Sequence, residues 1–316
     1  MSTPVLRWTG RVDGPGPEHR RWHNAINESP GATGVSLIGF PSDEGVRRNG
    51  GRPGAQAGPG AIRAALGSFA IQPEVVVHDA ADVAVVGEDL EAAQDGLAEA
   101  VVKQLSAENL PFVLGGGHET AYGSYLGLAR SGLLDGRRLG VLNLDAHFDL
   151  RKADRPTSGT PFRQIAAAEA ARGAEFTYAA IGISQPSNTA ALFTTAADLG
   201  VRHLLDLDCQ ERHIEDVLQF VRAFAADVDA LYLSIDLDVL PAAQAPGVSA
   251  PSTLGVPAGV VIEVCRLVAS DPKLVLADIT ELNPTYDIDN RTARVAARLV
   301  HTIAVSAAGR SVPEGH

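Results

Sequence analysis

The chain has 316 residues, of which 45% are hydrophobic and 20% are charged, and its formal net charge is −12. A chain this apolar can bury a large core, which excludes a disordered polypeptide, and its 32 Gly and 19 Pro follow no collagen-like period. The acidic balance, without a stripe of Lys and Arg, argues against nucleic acid or an anionic membrane as a partner. We therefore expect a globular protein that binds neither.

Two sequence features bear on the compartment. The chain has two cysteines, Cys209 and Cys265, which are too few for a disulfide framework. Residues 1–30 carry charges and Gly-Pro pairs but no apolar segment of the kind found in secretion signals, and no later stretch is apolar for long enough to span a bilayer. These features favour a cytoplasmic location.

Short apolar runs bounded by Gly, Pro or Asp alternate along the chain with longer segments whose apolar residues follow helical spacing. The runs predicted as strands are 35–40, 75–78, 111–115, 139–144, 177–182, 201–205, 231–235 and 273–279. The clearest predicted helices are 94–107, 211–225 and 291–305. Because runs such as 139–144 are apolar on both faces, we predict a three-layer αβα sandwich around a central, mostly parallel eight-stranded sheet.

The domain organisation follows from the absence of a break. No shift in composition, linker or internal repeat follows residue 30. We interpret residues 1–30 as a Pro/Gly-rich N-terminal arm and residues 31–316 as a single domain. In sheets of this kind, ligands bind beyond the carboxyl ends of the strands, so polar residues at those ends are the first candidates for chemistry.

Polar side chains follow three of the predicted strands. The motifs are GGGHE at 115–119, DAHFD at 145–149 and SIDLD at 234–238. Alternate residues of an extended chain face the same side, so Asp145, His147 and Asp149 can converge, as can Asp236 and Asp238. The alternative for each residue alone is structural, because an Asp at a strand end often caps a helix or forms a turn.

A cluster of four carboxylates and two imidazoles points to bound cations. Without a cation the buried carboxylates would repel one another or stay protonated. Two divalent ions would offset the charge, and ions about 3.5–4 Å apart can share a bridging hydroxide, which is a strong nucleophile at neutral pH. The oxygen-rich set of ligands favours Mn²⁺ over Zn²⁺. The motifs therefore predict a binuclear metallohydrolase.

The same motifs, with SIDLDVLPAAQAPGVSAP at 234–251 and ELNPTYDIDNRTARVAARL at 281–299, resemble the ureohydrolase (arginase/agmatinase) family over nearly the whole chain after residue 30. The resemblance is closest to the formimidoylglutamase branch. It implies the arginase-like αβα fold, two Mn²⁺ ions per subunit and hydrolysis of N-formimidoyl-L-glutamate to L-glutamate and formamide in histidine degradation. It also implies a homo-oligomer, a trimer or a hexamer.

The resemblance also implies roles for individual residues. Carried over by position, one ion is held by His118, Asp145, Asp149 and Asp236, and the other by Asp145, His147, Asp236 and Asp238. Asp145 and Asp236 would then bridge the ions as part of the catalytic set. Glu281 matches an acidic residue that contacts the planar C–N group in guanidine-hydrolysing relatives, so we expect it to orient and stabilise the amidine nitrogens, or else to make a structural hydrogen bond at a strand end.

The chain departs from the arginase and agmatinase pattern at two places. Those relatives carry a histidine in a His-Gly element where this chain reads SGTPF at 158–162, and they usually have Asp where this chain has Gly117. Both departures weaken an arginase interpretation. They also leave open whether water on the metals or Glu281 protonates the leaving nitrogen.

The charge of the substrate provides a separate test of the branch. Formimidoylglutamate has two carboxylates, which favour bidentate contacts with arginine, whereas agmatine or arginine is a long cation. The candidate substrate contacts are Arg151, Ser158, Thr160, Arg163 and, in the Gly-rich loop 42–54, Arg47. The alternative for each arginine is a salt bridge with a neighbouring acid or plain solvation. We expect Asn188 and the 287–291 segment to cap helices.

Two other functions remain open at this point. A ureohydrolase acting on a guanidino acid, such as guanidinobutyrate, would keep the metals and release urea. A non-catalytic protein that uses the metals to stabilise a binding surface would need neither the bridging pair nor Glu281, because a structural ion needs no open coordination position.

Overall fold

The computed structural model describes residues 8–83 and 85–310. The strands are β1 (Val35–Phe40), β2 (Val77–Asp82), β3 (Leu110–Gly115), β4 (Leu139–Leu144), β5 (Thr177–Ile183), β6 (Arg202–Leu205), β7 (Ala230–Asp236) and β8 (Leu274–Thr280). The α-helices are α1 (Trp22–Ala25), α2 (Glu44–Arg48), α3 (Gly58–Leu66), α4 (Leu90–Ser106), α5 (Thr120–Arg130), α6 (Pro161–Ala171), α7 (Ala190–Asp198), α8 (Ile214–Ala226), α9 (Ala258–Ser270) and α10 (Arg291–Ala308).

All eight strands belong to one sheet, in the order β2-β1-β3-β8-β7-β4-β5-β6. Every neighbouring pair of strands is parallel. Parallel strands need crossover connections, and helices on both faces of the sheet supply them. The predicted αβα sandwich is confirmed, with a sheet that is parallel throughout.

The hydrophobic core lies on both faces of the sheet. Along β7, Leu231, Leu233 and Ile235 pack into one apolar cluster, whereas Ala230 and Tyr232 pack into the cluster on the other face. This alternation explains why the central strands are apolar at every position, since each face is covered by helices.

The helix and strand boundaries differ from the prediction where polar side chains take part in the elements. Strand β2 extends through Asp82 because the buried Arg63 guanidinium pairs with Asp79 at 2.9 Å and with Asp82 at 2.7 Å. Helix α4 begins at Leu90, four residues earlier than predicted, because the Asp89 carboxylate accepts a hydrogen bond from the Ala92 amide at 3.1 Å.

Helix α8 begins later than predicted. Residues 211–213 form a 3₁₀ turn, and the α-helix starts at Ile214.

Residues 8–30, which the sequence predicts to be part of an N-terminal arm, contain a tryptophan that packs into the core. Trp22 is fully buried in the core, and its indole stacks on Trp8 with the ring centroids 6.4 Å apart. The Trp22 indole N–H donates to His301 Nδ1 of α10 at 3.1 Å. Residues 1–7 lie outside the described residues. Within residues 8–83 and 85–310, no helix combines the length and the apolar character needed to cross a membrane.

Candidate metal centre

Four neighbouring strands of the sheet, β3, β8, β7 and β4, deliver the polar motifs to one edge. His118 follows β3, Asp145 follows β4, Asp236 is the last residue of β7, and Glu281 follows β8. Because the strands are parallel, their carboxyl ends meet at the same edge of the sheet. The predicted cluster therefore forms at the centre of this edge.

The first ligand group consists of His118, Asp145, Asp149 and Asp236, all buried. His118 Nδ1 lies 3.2 Å from Asp145 Oδ2, 3.0 Å from Asp149 Oδ2 and 3.2 Å from Asp236 Oδ2. One nitrogen and three carboxylate oxygens thus surround a common point. This set matches the four residues predicted for one ion.

The second ligand group consists of Asp145, His147 and Asp238. His147 Nδ1 lies 3.0 Å from Asp238 Oδ2 and 3.5 Å from Asp145 Oδ1. Asp145 contributes one oxygen to each group, so the two groups adjoin through its carboxylate. Asp236, predicted to join both sets, places its Oδ2 in the first group, and its Oδ1 accepts a hydrogen bond from the Asp238 amide at 2.8 Å.

The prediction that these residues converge by extended alternation is wrong. Strand β4 ends at Leu144, and Leu237–Val239 is a 3₁₀ turn. The convergence comes from local turns, in which Asp145 Oδ1 accepts from the His147 amide at 2.6 Å. Asp149 has a φ of +49°, a left-handed conformation that costs free energy for a non-glycine residue and turns its carboxylate back towards His118.

The segment that carries Asp145–Asp149 is held by a side chain from the next crossover. Asn188 Nδ2 donates to the carbonyls of Ala146 and Ser184, each at 2.9 Å, and its Oδ1 accepts from the Phe148 amide at 3.2 Å. Asn188 is also the C-cap of the 3₁₀ turn Gln185–Ser187, where its backbone amide donates to the Gln185 carbonyl, so the prediction that it caps a helix is confirmed for that turn; the N-cap of α7 is Thr189.

The expectation that the 287–291 segment caps a helix is confirmed. The Asp287 carboxylate accepts from the amides of Thr292 and Ala293 in the first turn of α10.

The electrostatics of the cluster suit a cation. Burial, together with the charges of Asp238 and Asp145, raises the pKa of Asp236 well above its usual range. Burial would lower the pKa values of His118 and His147, but the neighbouring carboxylates raise both well above the ordinary value. The metal-free cluster thus retains protons that a cation can replace.

An unpartnered atom supports the same conclusion. His118 Nδ1 is buried and makes no hydrogen bond within the described residues, although three carboxylate oxygens surround it. A buried polar atom without a partner is costly. A cation coordinated by that nitrogen and the three oxygens would satisfy it, so the residues fit a divalent ion with mixed imidazole and carboxylate ligands.

A buried relay lies behind His118. His118 Nε2 is 2.9 Å from Ser234 Oγ, and the Ser234 hydroxyl donates to Asp278 Oδ1 at 2.6 Å. The Tyr232 hydroxyl donates to Asp278 Oδ2. With Nε2–H donating to Ser234, the lone pair of Nδ1 points at the carboxylates, the tautomer that a metal ligand requires.

Sequence reasoning missed this relay, although a signal was present. Asp278 is an acid inside the otherwise apolar strand β8, and it pairs in register with Ser234 of β7.

Glu281 is buried and lines a cleft together with members of both ligand groups, namely His147, Asp149, Asp236 and Asp238. Its φ is +67°, its amide donates to the Gly116 carbonyl at 2.7 Å, and its Oε1 accepts from the His118 amide at 2.9 Å. Burial, with the charge of Glu119, raises the pKa of Glu281 to about 8. The hydrogen bond from the His118 amide thus holds the carboxyl group, while the backbone bond to Gly116 and the left-handed φ fix the main chain that carries it.

The departure at Gly117 has a steric reason. A side chain at Gly117 would meet Glu119 Oε2 and Val46. The buried Glu119 carboxyl instead accepts from the Ser42 hydroxyl at 2.9 Å and from the Gly45 amide at 3.0 Å, which joins the turn after β3 to the loop before α2. Burial raises the pKa of Glu119 to about 7.

The predicted substrate contacts fall in different places. Arg151 and Ser158 line the cleft with the ligand groups, together with Asn49, which donates to Ser158 Oγ at 3.2 Å. Thr160 and Arg163 line an adjoining pocket.

Arg47 is engaged elsewhere on its own helix. Its guanidinium pairs with Asp43 at 3.0 Å and with Glu44 at 3.1 Å.

An all-parallel αβα sheet whose carboxyl edge carries two ligand groups sharing one aspartate defines a class of binuclear α/β metallohydrolases. A sequence model described as "Arginase family" matches residues 33–305. The chain belongs to the arginase family.

Individual relatives show which members of the family the chain resembles. The chain is 55% identical over 306 residues to a formimidoylglutamase of Rhodococcus jostii (strain RHA1), with 95% of each chain covered. It is 56% identical over 304 residues to a formimidoylglutamase of Nocardia farcinica (strain IFM 10152), covering 95% of this chain and 96% of the relative. The solved structure of Trypanosoma cruzi formiminoglutamase with Mn²⁺ has a TM-score of 0.82 at 28% identity, covering 91% of this chain and 98% of that one.

Proposed function

We propose that this protein hydrolyses N-formimidoyl-L-glutamate to L-glutamate and formamide and uses two Mn²⁺ ions per subunit. The observation that carries the proposal is the pair of adjoining ligand groups in a cleft that also contains Glu281 and Arg151. The proposal is also supported by two relatives named formimidoylglutamase, to which the chain is 55% and 56% identical over nearly their whole length. The water that is consumed supplies the formamide oxygen, and the bond between the formimidoyl carbon and the nitrogen of glutamate breaks.

The proposed ligands are the six side chains of the two groups. His118, Asp145, Asp149 and Asp236 would hold one ion, and Asp145, His147 and Asp238 the other, with Asp236 as the second bridging carboxylate predicted from the sequence. When bound, such ions supply Lewis-acid catalysis and make water a strong nucleophile at neutral pH. Asn188 and the Ser234–Asp278 relay keep the ligand atoms in place.

Glu281 is the proposed contact for the amidine nitrogens. It lies in the cleft beside both ligand groups, and hydrogen bonds to Gly116 and His118 fix its position. The carboxyl oxygens in this position can accept hydrogen bonds from N–H groups of the planar amidine and so orient its carbon. Orientation of the reacting carbon, rather than binding of a distant part of the substrate, is the role we assign to it.

Arg151 is the proposed contact for a substrate carboxylate. Its guanidinium forms no ion pair within the described residues, and it borders the cleft next to Ser158 and Asn49. Arginine binds a carboxylate through two parallel hydrogen bonds, which fixes orientation as well as charge. Arg47 and Thr160 are less suited, because their polar atoms already bond to protein groups.

Product analysis tests the proposal. Incubation of the Mn²⁺-loaded protein with formimidoylglutamate should release equal amounts of formamide and glutamate. Arg151→Gln should raise KM more than it lowers kcat, because its contact is made to a part of the substrate that does not react. Release of urea from guanidinobutyrate, without formamide from formimidoylglutamate, would contradict the proposal.

The compartment and the assembly are also proposals. Cys209 and Cys265 are free and buried, which supports a reducing cytoplasmic location, and the net charge of −12 supports a small molecule rather than nucleic acid as the partner. The homo-oligomer, a trimer or a hexamer, rests on family resemblance and is tested by a light-scattering mass measurement.

A further inference from the structure

A second pocket lies beside the metal cleft, and positive charges line it. The segment between Asp149 and α6 contributes Arg151, Lys152 and Arg155, and the first turn of α6 contributes Arg163. One acid, Asp154, lies among them. A pocket with four cations and one acid is unusual in a chain whose net charge is −12.

These four cations have no ion-pair partner among the described residues, unlike Arg48 and Arg63, which are held by acids. Within the described residues none of the four takes part in an ion pair or a side-chain hydrogen bond, and all four are exposed. Arg48, by comparison, pairs with Glu44 at 2.9 Å and with Glu91 at 2.8 Å, and Arg63 pairs with two aspartates. Like charges held together without partners repel one another, so the arrangement favours an anion that is not part of the protein.

The position of the pocket indicates which anion. Arg151 lines both this pocket and the metal cleft, so the two spaces share a wall. Arg151 and Lys152 follow Asp149 of the first ligand group by two and three residues, so the chain brings this end of the pocket close to that group. An anion attracted to the pocket is therefore already beside the reacting centre.

We propose that this pocket, lined by Arg151, Lys152, Arg155 and Arg163, is a collecting site for a small dicarboxylate, which here is the substrate. The inference rests on the proposed function for the identity of that dicarboxylate. The carboxylates of the substrate are attracted by Lys152, Arg155 and Arg163 before the amidine reaches the metals. Arg151, which borders both spaces, then binds a carboxylate at the entrance to the cleft. Clefts lined by charges of one sign raise the local concentration of an oppositely charged ligand.

A double variant, Lys152→Gln/Arg155→Gln, tests the collecting site and leaves Arg151 in place. At low ionic strength its kcat/KM for formimidoylglutamate should fall about three- to tenfold while kcat is unchanged, because the variant alters capture and not chemistry. The difference should shrink in about 0.5 M NaCl, because salt at that concentration screens exposed charges beyond a few ångströms. Equal kcat/KM values and equal salt dependence for variant and wild type would overturn the proposal.

The matched control is Arg222→Gln. Arg222 is exposed and lines a pocket near Leu231 and Lys273, at the start of β7 and β8 and so at the opposite edge of the sheet. The substitution removes one positive charge far from the pocket, so it should leave kcat/KM for formimidoylglutamate unchanged. Because the double variant removes two charges, a loss of kcat/KM in Arg222→Gln about half as large on a logarithmic scale would show a general effect of net charge and overturn the proposal.

A binding measurement separates this inference from the proposed function. Calorimetric titration of the wild type with glutarate needs no turnover, and the double variant should bind glutarate about three- to tenfold more weakly. Equal glutarate affinities would overturn the collecting site even if formamide is released. Inorganic phosphate that binds the wild type as tightly as glutarate would also overturn the assignment, because the site would then select no dicarboxylate. A wild type that binds glutarate at this site but releases no formamide would refute only the proposed function.

Discussion

Ser234→Ala should weaken metal binding, although Ser234 is not itself a proposed ligand. The Ser234 hydroxyl lies 2.9 Å from His118 Nε2 and donates a hydrogen bond to Asp278 Oδ1 at 2.6 Å. Without it, the imidazole of His118 loses the partner that orients the ring and fixes the proton on Nε2. Loss of such a partner typically costs about 10- to 100-fold in metal affinity, or about 1.4–2.7 kcal/mol.

The same substitution should also destabilise the metal-free protein. Ser234, His118 and Asp278 are almost completely buried, so the alanine leaves a donor on the imidazole and an acceptor on the carboxylate without a partner. Each buried group that loses its partner costs about 1–3 kcal/mol. Urea unfolding of the metal-free protein measures this cost, and calorimetric titration with Mn²⁺ measures the affinity.

Ser36→Ala is the matched control. Ser36 lies in β1, is fully buried, and its hydroxyl has no hydrogen-bond partner within the described residues. The atoms removed are the same as in Ser234→Ala, but no relay is broken, so Mn²⁺ affinity should stay at the wild-type value. Equal affinities for Ser234→Ala and Ser36→Ala would refute the reasoning about the relay.

Three further predictions concern the same site. Neighbouring carboxylates raise the pKa values of the His118 and His147 imidazoles in the metal-free protein, so Mn²⁺ binding should release protons and Mn²⁺ affinity should rise with pH. Calorimetry in buffers of different ionisation enthalpy measures the proton release, and binding heats that do not depend on the buffer would argue against it. Gly117→Ala should lower the free energy of unfolding by about 1–3 kcal/mol in thermal unfolding, because the new Cβ would meet the Glu119 carboxyl group. Gly60→Ala, whose Cβ would meet nothing within 4 Å, should not lower it, and equal melting temperatures for the two variants would contradict the steric account. Asp238→Asn should leave the circular dichroism spectrum intact and lower formamide release by orders of magnitude, and unchanged turnover would refute a catalytic role for the second ligand group.

Much of the fold could be predicted because it depends on local patterns. Short runs that are apolar at every position fit a sheet covered on both faces better than a sheet with one exposed face, and the alternation of Leu231, Tyr232 and Leu233 between the two clusters is the physical basis of that pattern. The clustering of His and Asp side chains could be predicted for a related reason. They are charged residues at the ends of buried strands, where a charge must be neutralised.

The remainder depends on tertiary geometry that spacing does not contain. Extended alternation named residues that do converge, but for the wrong reason. The His147 and Asp238 amides donate hydrogen bonds to the Asp145 and Asp236 carboxylates, and these bonds form the turns that bring the side chains together. The Ser234–Asp278 relay requires the register of β7 and β8, which joins residues 44 positions apart. The position of Arg163 depends on the direction in which α6 leaves the ligand segment.

We propose that six side chains of one chain hold two cations. Elemental analysis of the protein, loaded with Mn²⁺ and dialysed, counts the ions that each chain retains. We predict about two manganese ions per chain in the wild type and about one in His147→Ala, because that variant loses a ligand of the second group while the first group stays whole. A wild type that retains fewer than one ion per chain, or a variant that retains as many as the wild type, would contradict the claim.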